Sequence, residues 1–238
     1  MAEKLPLDAG LDFAPRGHLS VECVVNGPIQ TNTYFAISGN EAVVIDPAWE
    51  GEELVQRFSM VHPDVAIKAI ICTHAHGDHV GGVAGALRAL DNDVPFLISK
   101  IDAPYLEQGI ESLRVMWDIE TETPPAPDRL LSEGDVVEFG DVRLQVLETP
   151  GHTFGGIVLF AATEDGNIAF VGDTLFPGGH GRCDLPGGNE ADILRSLARM
   201  SASLPEDTLC YIGHNQSTTM AEERAHNPFM IYAVRHEH

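Results

Sequence analysis

Thr73-His74-Ala75-His76-Gly77-Asp78-His79-Val80-Gly81-Gly82 places three histidines and an aspartate within six positions, directly behind the apolar run Ile67-Lys68-Ala69-Ile70-Ile71-Cys72. That run is short, β-branched and continuous, which predicts a buried strand. Residues 80–90, rich in Ala, Leu and Gly, predict a helix. The cluster therefore falls on the turn between the C-terminal end of a strand and a helix, where α/β folds carry binding groups. Imidazole nitrogens and carboxylate oxygens at this density suit a divalent transition metal. A solvated polar turn is the plainer alternative, and four metal-capable groups in six residues argue against it. Cys72, one residue from the cluster, alternates into the core and reads as a packing residue.

Upstream, residues 19–25 and 33–37 collect β-formers around the turn Asn26-Gly27-Pro28. Residues 41–45 follow Ser38-Gly39-Asn40 and end in Asp46-Pro47, completing an antiparallel meander. Residues 52–60 have helical spacing through Leu54, Val55 and Phe58. Downstream, a strand is predicted over 94–99 and a short helix near 102–108, while 109–129 has no strong periodicity. The second half repeats this grammar. Residues 135–139 pair with 142–148 across Gly140-Asp141, and 157–161 pair with 168–171 across Glu164-Asp165-Gly166-Asn167. An amphipathic helix over 190–200 takes Asn189 as its N-cap, 209–212 is a last buried strand, and 220–226 begins a C-terminal helix. Meanders with interspersed helices in both halves predict an α/β (α+β) fold of two sheets covered by helices on the outside.

The chain has 238 residues, 44% of them hydrophobic, enough for one sizeable core. The Pro-rich stretch Thr123-Pro124-Pro125-Ala126-Pro127 is the only linker-like passage and is short, so residues 1–238 are expected to form one domain. Asp and Glu number 36 against 14 Lys and Arg, a net charge of −22. A field of that sign repels phosphate backbones and anionic bilayers, so neither nucleic acid nor membrane is an expected partner. No signal peptide is visible, and no apolar run approaches the ~20 residues of a membrane helix. Cys23, Cys72, Cys183 and Cys210 are widely spaced without CxxC pairing, which fits a reduced, cytoplasmic setting. Nothing in the sequence sets an oligomeric state.

Three further segments end strands with metal-capable residues: Thr149-Pro150-Gly151-His152-Thr153, Gly172-Asp173-Thr174 and Gly213-His214-Asn215. Taken singly, each residue reads as readily as a helix cap or a solvated side chain. Jointly they gain weight, because each is preceded by Gly, which lets the backbone approach closely and leaves the next side chain free for a shared site. With the first cluster they make five histidines and two aspartates. Two metals of four or five coordination need about that many protein ligands. Asp46, at the end of Val43-Val44-Ile45, reads equally as a turn cap or as an acceptor for a ligand histidine N–H. Arg182 is the candidate grip for a substrate carboxylate. His180 and Asn215 are weaker candidates for the mouth of the site.

The motifs THAHGDH, PGH, GDTLF and the final GH, in this order and at these separations, resemble the metallo-β-lactamase superfamily over residues 19–229. The resemblance implies a four-layer αββα sandwich. It assigns His74, His76 and His152 to one metal, and Asp78, His79 and His214 to a second, with Asp173 bridging. Within the superfamily, residues 25–34, the segments around His152 and Asp173, Gly181-Arg182-Cys183-Asp184-Leu185-Pro186-Gly187-Gly188 and His226-Asn227-Pro228-Phe229 are similar to the glyoxalase II group, in particular its short bacterial YcbL-type members. The chain departs from the group's pattern at Ala75, Gly77 and Cys183, and is too short for the C-terminal helical domain with which the long members grip glutathione. The activity implied is hydrolysis of a thioester, such as S-D-lactoylglutathione or a related acyl-thiol, by hydroxide bridging two divalent metals, with Asp78 and Asp173 beside it. Zn is the first choice of metal, with Fe or Mn open. Two other readings share this frame: a persulfide dioxygenase-like oxidoreductase with one iron on His74, His152 and Asp173, and a lactonase. A metal-loaded binding or electron-transfer module without catalysis would be marked by lost ligands, and all seven stand.

Overall fold

In the computed structural model, residues 5–236 are described. The expected meander is strands β1 (Ser20–Asn26), β2 (Thr31–Ser38) and β3 (Glu41–Ile45), joined antiparallel. Helix α1 (Gly51–Val61) then carries the chain to β4 (Ala66–Cys72), which lies parallel to β3. The anticipated helix over 80–90 is two helices, α2 (Gly77–Val80) and α3 (Val83–Ala89). The break falls at Gly81-Gly82, where the Gly82 N–H turns to the Pro47 carbonyl at 2.8 Å. Strand β5 (Phe96–Ser99) and strand β6 (Arg129–Leu131) complete a six-stranded sheet. Between them a 3-10 turn at Ala103–Tyr105 opens α4 (Leu106–Trp117), longer than the short helix predicted near 102–108. Its sequence hides the helix because Gly109 sits on the buried stripe while Val115, Met116 and Trp117 are exposed.

The second sheet is built from β7 (Val136–Phe139), β8 (Val142–Glu148), β9 (Ile157–Thr163) and β10 (Gly166–Gly172). After a two-stranded hairpin, β11 (Leu175–Phe176) and β12 (Gly179–His180), comes helix α5 (Glu190–Ser203). The Asn189 side chain accepts from the Ala191 and Asp192 N–H groups, the cap expected from its position. Strands β13 (Leu209–Ile212) and β14 (Thr218–Thr219) finish the sheet, followed by α6 (Met220–His226) and α7 (Pro228–His236).

Period-two alternation explains how one strand serves two layers. In β2, Tyr34 and Ala36 face the other sheet, while Phe35 and Ile37 face helices. In β10, Phe170 faces between the sheets and Val171 faces outward. The central core therefore holds Tyr34, Ile45, Ile71, Leu144, Leu159 and Phe170. The outer face of the first sheet packs on α1, α3 and α4 through Phe35, Phe58, Phe96 and Leu87. That of the second packs on α5 and α7 through Phe160, Leu197, Met200 and Met230. The result is the four-layer αββα sandwich that the motifs implied. No described helix is long and apolar enough to cross a membrane.

At one rim the sheets are also joined by hydrogen bonds. The Asn32 N–H donates to Gly213 O at 2.7 Å, the Tyr34 hydroxyl to Ile212 O at 2.6 Å, and the Ile157 N–H to Thr73 O at 3.0 Å. These bonds fix the ends of β4 and β13 relative to each other, and the candidate site lies there.

Candidate metal centre

Strands β3, β4 and β5 run parallel, so their C-termini share one rim. In the second sheet β10 is parallel to β13, and the antiparallel steps through β9 align β8 with them. Asp46 follows β3, the Thr73–His79 turn follows β4, His152 follows β8, Asp173 follows β10 and His214 follows β13. Topology alone thus gathers five remote segments. Close approach finishes the work: a methyl on Gly213 would lie 2.0 Å from Asp173 Oδ1, and one on Gly172 2.5 Å from Thr73 Oγ1.

The seven expected side chains converge. Ligand atoms of His74, His76 and His152 lie within 4.8 Å of one another, as do those of His74, His79 and Asp173 and those of Asp78, His79 and His214. Asp173 faces both histidine sets, with Oδ2 3.5 Å from His152 Nε2 and Oδ1 3.5 Å from His79 Nε2. His214 Nε2 stands 3.2 Å from Asp78 Oδ2. Buried and without any hydrogen-bond partner are His74 Nε2, His79 Nε2, His152 Nε2 and Asp173 Oδ1. Buried polar atoms are almost always paired, and these orphans all border the same small space. A divalent cation supplies the missing partner for each, so the residues present fit such an ion.

The far side of four of the rings explains why Nε2 faces inward. His152 Nδ1 donates to the Arg182 carbonyl at 2.8 Å, and a carbonyl can only accept, so the proton sits on Nδ1. His79 Nδ1 meets Asp46 Oδ2 at 3.0 Å. His74 Nδ1 meets Thr73 Oγ1 at 3.0 Å, whose hydroxyl in turn donates to Asp46 at 2.7 Å. His214 Nδ1 faces Gln30 O at 3.3 Å. Asp46 thus braces two rings, and it also accepts the Thr73 N–H at 2.7 Å. It does so from a left-handed backbone, φ 51°, the kind of strain that persists only where surroundings over-determine it.

Electrostatics divide the cluster. Burial, reinforced by neighbouring imidazoles, holds His74 well below its ordinary pKa, and burial lowers His76 to about 3 and His152 to about 4. These three rings are neutral at pH 7. For His79 burial also opposes charge, but Asp173, Asp78 and Asp46 outweigh it and lift the ring to about 10. His214 is raised against its own burial by Asp78 and Asp173. Asp78 is held below the usual carboxylate range by His79 and His214 despite its burial.

Among the remaining expected residues, Arg182 lines the adjoining pocket, its guanidinium in a two-pronged pair with Asp184 at 2.7 Å on both arms. Asn215 also lines that pocket. His180 turns aside, its ring meeting Phe229 edge-on at 4.5 Å. Sequence reading misses Asp102. Its buried carboxylate accepts the Ala75 N–H at 3.0 Å and the Gly155 N–H at 2.6 Å, tying the β4 and β8 loops together. Its position just after β5 was the available signal, since every other rim residue follows a strand.

A two-sheet sandwich with imidazoles and carboxylates collected at its strand ends defines a metal-binding α/β protein. The sequence model of the metallo-beta-lactamase superfamily matches residues 26–214, and the chain belongs to that superfamily. Its relatives include a probable metallo-hydrolase of Bacillus subtilis, YqgX, 34% identical over 86% of this chain and 94% of its own. Hydroxyacylglutathione hydrolase GloC of Haemophilus influenzae is 30% identical over 79% of this chain and 87% of its own. Among solved structures, TTHA1623 in a di-iron-bound form is 38% identical, with a TM-score of 0.78 over 87% of this chain and 99% of that one. The superfamily and the His/Asp cluster together indicate an enzyme with a divalent-metal site.

Two outcomes follow from this geometry. His79 has a folded pKa above its ordinary value near 6.5, so its stabilisation is present below that value and fades as pH rises toward about 10. His76 and His152 are depressed, so theirs is present above 6.5 and fades as pH falls toward about 4 and below. Calorimetry of the chelator-treated protein should therefore show its highest Tm between these limbs, near pH 6.5; a Tm that climbs from pH 7 to 9 would contradict the assignment. The Gly213→Ala variant, its methyl driven onto Asp173, should fold yet bind less metal in elemental analysis; full metal content would show that the close approach is dispensable.

Proposed function

We propose that this protein is a hydrolase of acyl-thiol thioesters that works with two divalent cations, related to the glyoxalase II group and to its short bacterial members. The observation that carries the reading is the set of buried Nε2 and carboxylate atoms left unpaired around one centre. The likeness to GloC supports the substrate class, and the di-iron form of TTHA1623 supports a two-metal site. His74, His76 and His152 would hold one ion and Asp78, His79 and His214 the other, with Asp173 between them. Nitrogen and oxygen donors accept Zn, Fe or Mn, and Zn is the first choice. When bound, such a pair brings the pKa of solvent near neutrality and polarises a carbonyl.

The chain's own groups do the rest. Asp78 stays ionised at any physiological pH and can orient an attacking water by accepting its proton in a hydrogen bond. Asp46 and Thr73 hold His79 and His74 in register, so the pocket keeps its shape through turnover. No thiol is poised as a competing nucleophile: burial pushes Cys72 well above its ordinary pKa, and Cys183 is also raised by burial. Arg182 and Asn215 border the approach for substrate. A net charge of −22 disfavours polyanionic partners, and four free cysteines support a reducing, cytoplasmic compartment.

The purified protein should carry two divalent ions per chain and cleave thioesters in a chelator-sensitive manner. His214→Ala should lose one ion and about a hundredfold or more in rate. Oxygen-dependent sulfite formation from a persulfide, with no thioester cleaved, would overturn the hydrolase reading in favour of a single-iron oxidoreductase.

A further inference from the structure

Beside the ligand cluster runs a second, apolar groove, which shares His76 and Asp78 with the metal site. One wall is a face of α4 and the turn before it, where Tyr105, Leu113 and Met116 recur at helical spacing and Trp117 closes the end. The other wall is Phe154 and Leu185. Tyr105 and Phe154 are also in contact with each other, ring centroids 4.9 Å apart.

The groove is built rather than incidental. Helix α4 lies against the ligand turn because two glycines meet there. A methyl on Gly109 would fall 1.9 Å from Ala75 O, and one on Gly77 2.7 Å from Gly109 O. A side chain at either position would push the helix away from the ligand turn. Four large apolar side chains are left in water around it: Tyr105 is 36% exposed, Met116 47%, Trp117 54% and Phe154 48%. Apolar surface gathered at the edge of a reactive centre marks a place where something apolar binds.

Charge points the same way. Among the described residues lining this groove and the adjoining pocket, Arg182 is the sole Lys or Arg, and Asp184 already neutralises it. A thiol bearing two carboxylates finds no second basic side chain on these walls, in a protein of net charge −22.

We propose that this groove seats the acyl chain of the substrate, which makes the preferred substrate a thioester of an apolar acid on a thiol without carboxylates. The inference rests on the hydrolase reading above and narrows its substrate. The reaction is unchanged: water oxygen bonds to the carbonyl carbon, the C–S bond breaks, the thiol leaves with one of the water protons, and the acid is released as carboxylate with the other proton passing to solvent. The wider pocket, with Gln30, Asn32 and Asn215 on its walls, is left for the polar thiol portion.

The test compares acetyl, butyryl, hexanoyl and octanoyl thioesters of N-acetylcysteamine with S-lactoylglutathione on the metal-loaded protein. Full burial of a methylene is worth about fourfold, so an open groove should raise kcat/KM about twofold per carbon up to hexanoyl. Hexanoyl should surpass S-lactoylglutathione, and Trp117→Ser together with Met116→Ser should shrink the hexanoyl-to-acetyl ratio. A flat chain-length profile, a ratio untouched by the double variant, or a preference for S-lactoylglutathione would overturn the proposal. A second readout is independent of turnover: hexanoate should change the tryptophan fluorescence of wild type but not of Trp117→Phe, and no change in wild type would sink the groove. If no thioester is cleaved yet hexanoate still binds through Trp117, the hydrolase reading has failed and the apolar site stands.

Discussion

A buried imidazole nitrogen with no partner costs about 1–3 kcal/mol, and among the described residues three such nitrogens lie beside an unpaired carboxylate oxygen. Such a cluster assembles only where the surrounding fold outweighs it. Here the compensation is structural: hydrogen bonds across the rim lock β2 to the end of β13 and β9 to the end of β4. The sandwich core behind them then fixes the inward direction of each ring. The inward direction that leaves these atoms without protein partners is also what suits them to a cation, since all of them face one shared centre.

Asp46 is the hinge of this arrangement. From one strained backbone position its carboxylate holds Thr73 twice and His79 once, and through Thr73 it reaches His74. Rings assigned to both candidate ions are therefore oriented by a single residue of the first sheet. Asp102 performs the parallel task between the loops after β4 and β8. Both carboxylates tie down the ligand turn by hydrogen bonds, which favours holding cations at fixed geometry.

The ligand turn was legible in the sequence because its donors are adjacent along the chain and follow an unmistakable buried strand. His152, Asp173 and His214 were legible only as a set, from the repeated glycine before each. Asp46 admitted two readings until its contact with His79 decided between them. Asp102 is not legible because a lone carboxylate after a short strand has no neighbour to reinforce it. The full length of helix α4 is hidden for a related reason: it spends a buried position on Gly109 and leaves large apolar side chains in water, so the periodicity that normally announces a helix is blurred. The segment hardest to read is the one that shapes the groove beside the metal cluster.

The most direct measurement is anomalous diffraction from crystals of the metal-loaded protein. Two scatterers about 3.5–4 Å apart are expected. Nε2 of His74, His76 and His152 should lie about 2.0–2.1 Å from one of them if it is zinc. Scatterers bound elsewhere on the chain, or a rim whose imidazoles stay unligated at saturating metal, would contradict the claim that these strand ends were brought together to hold cations.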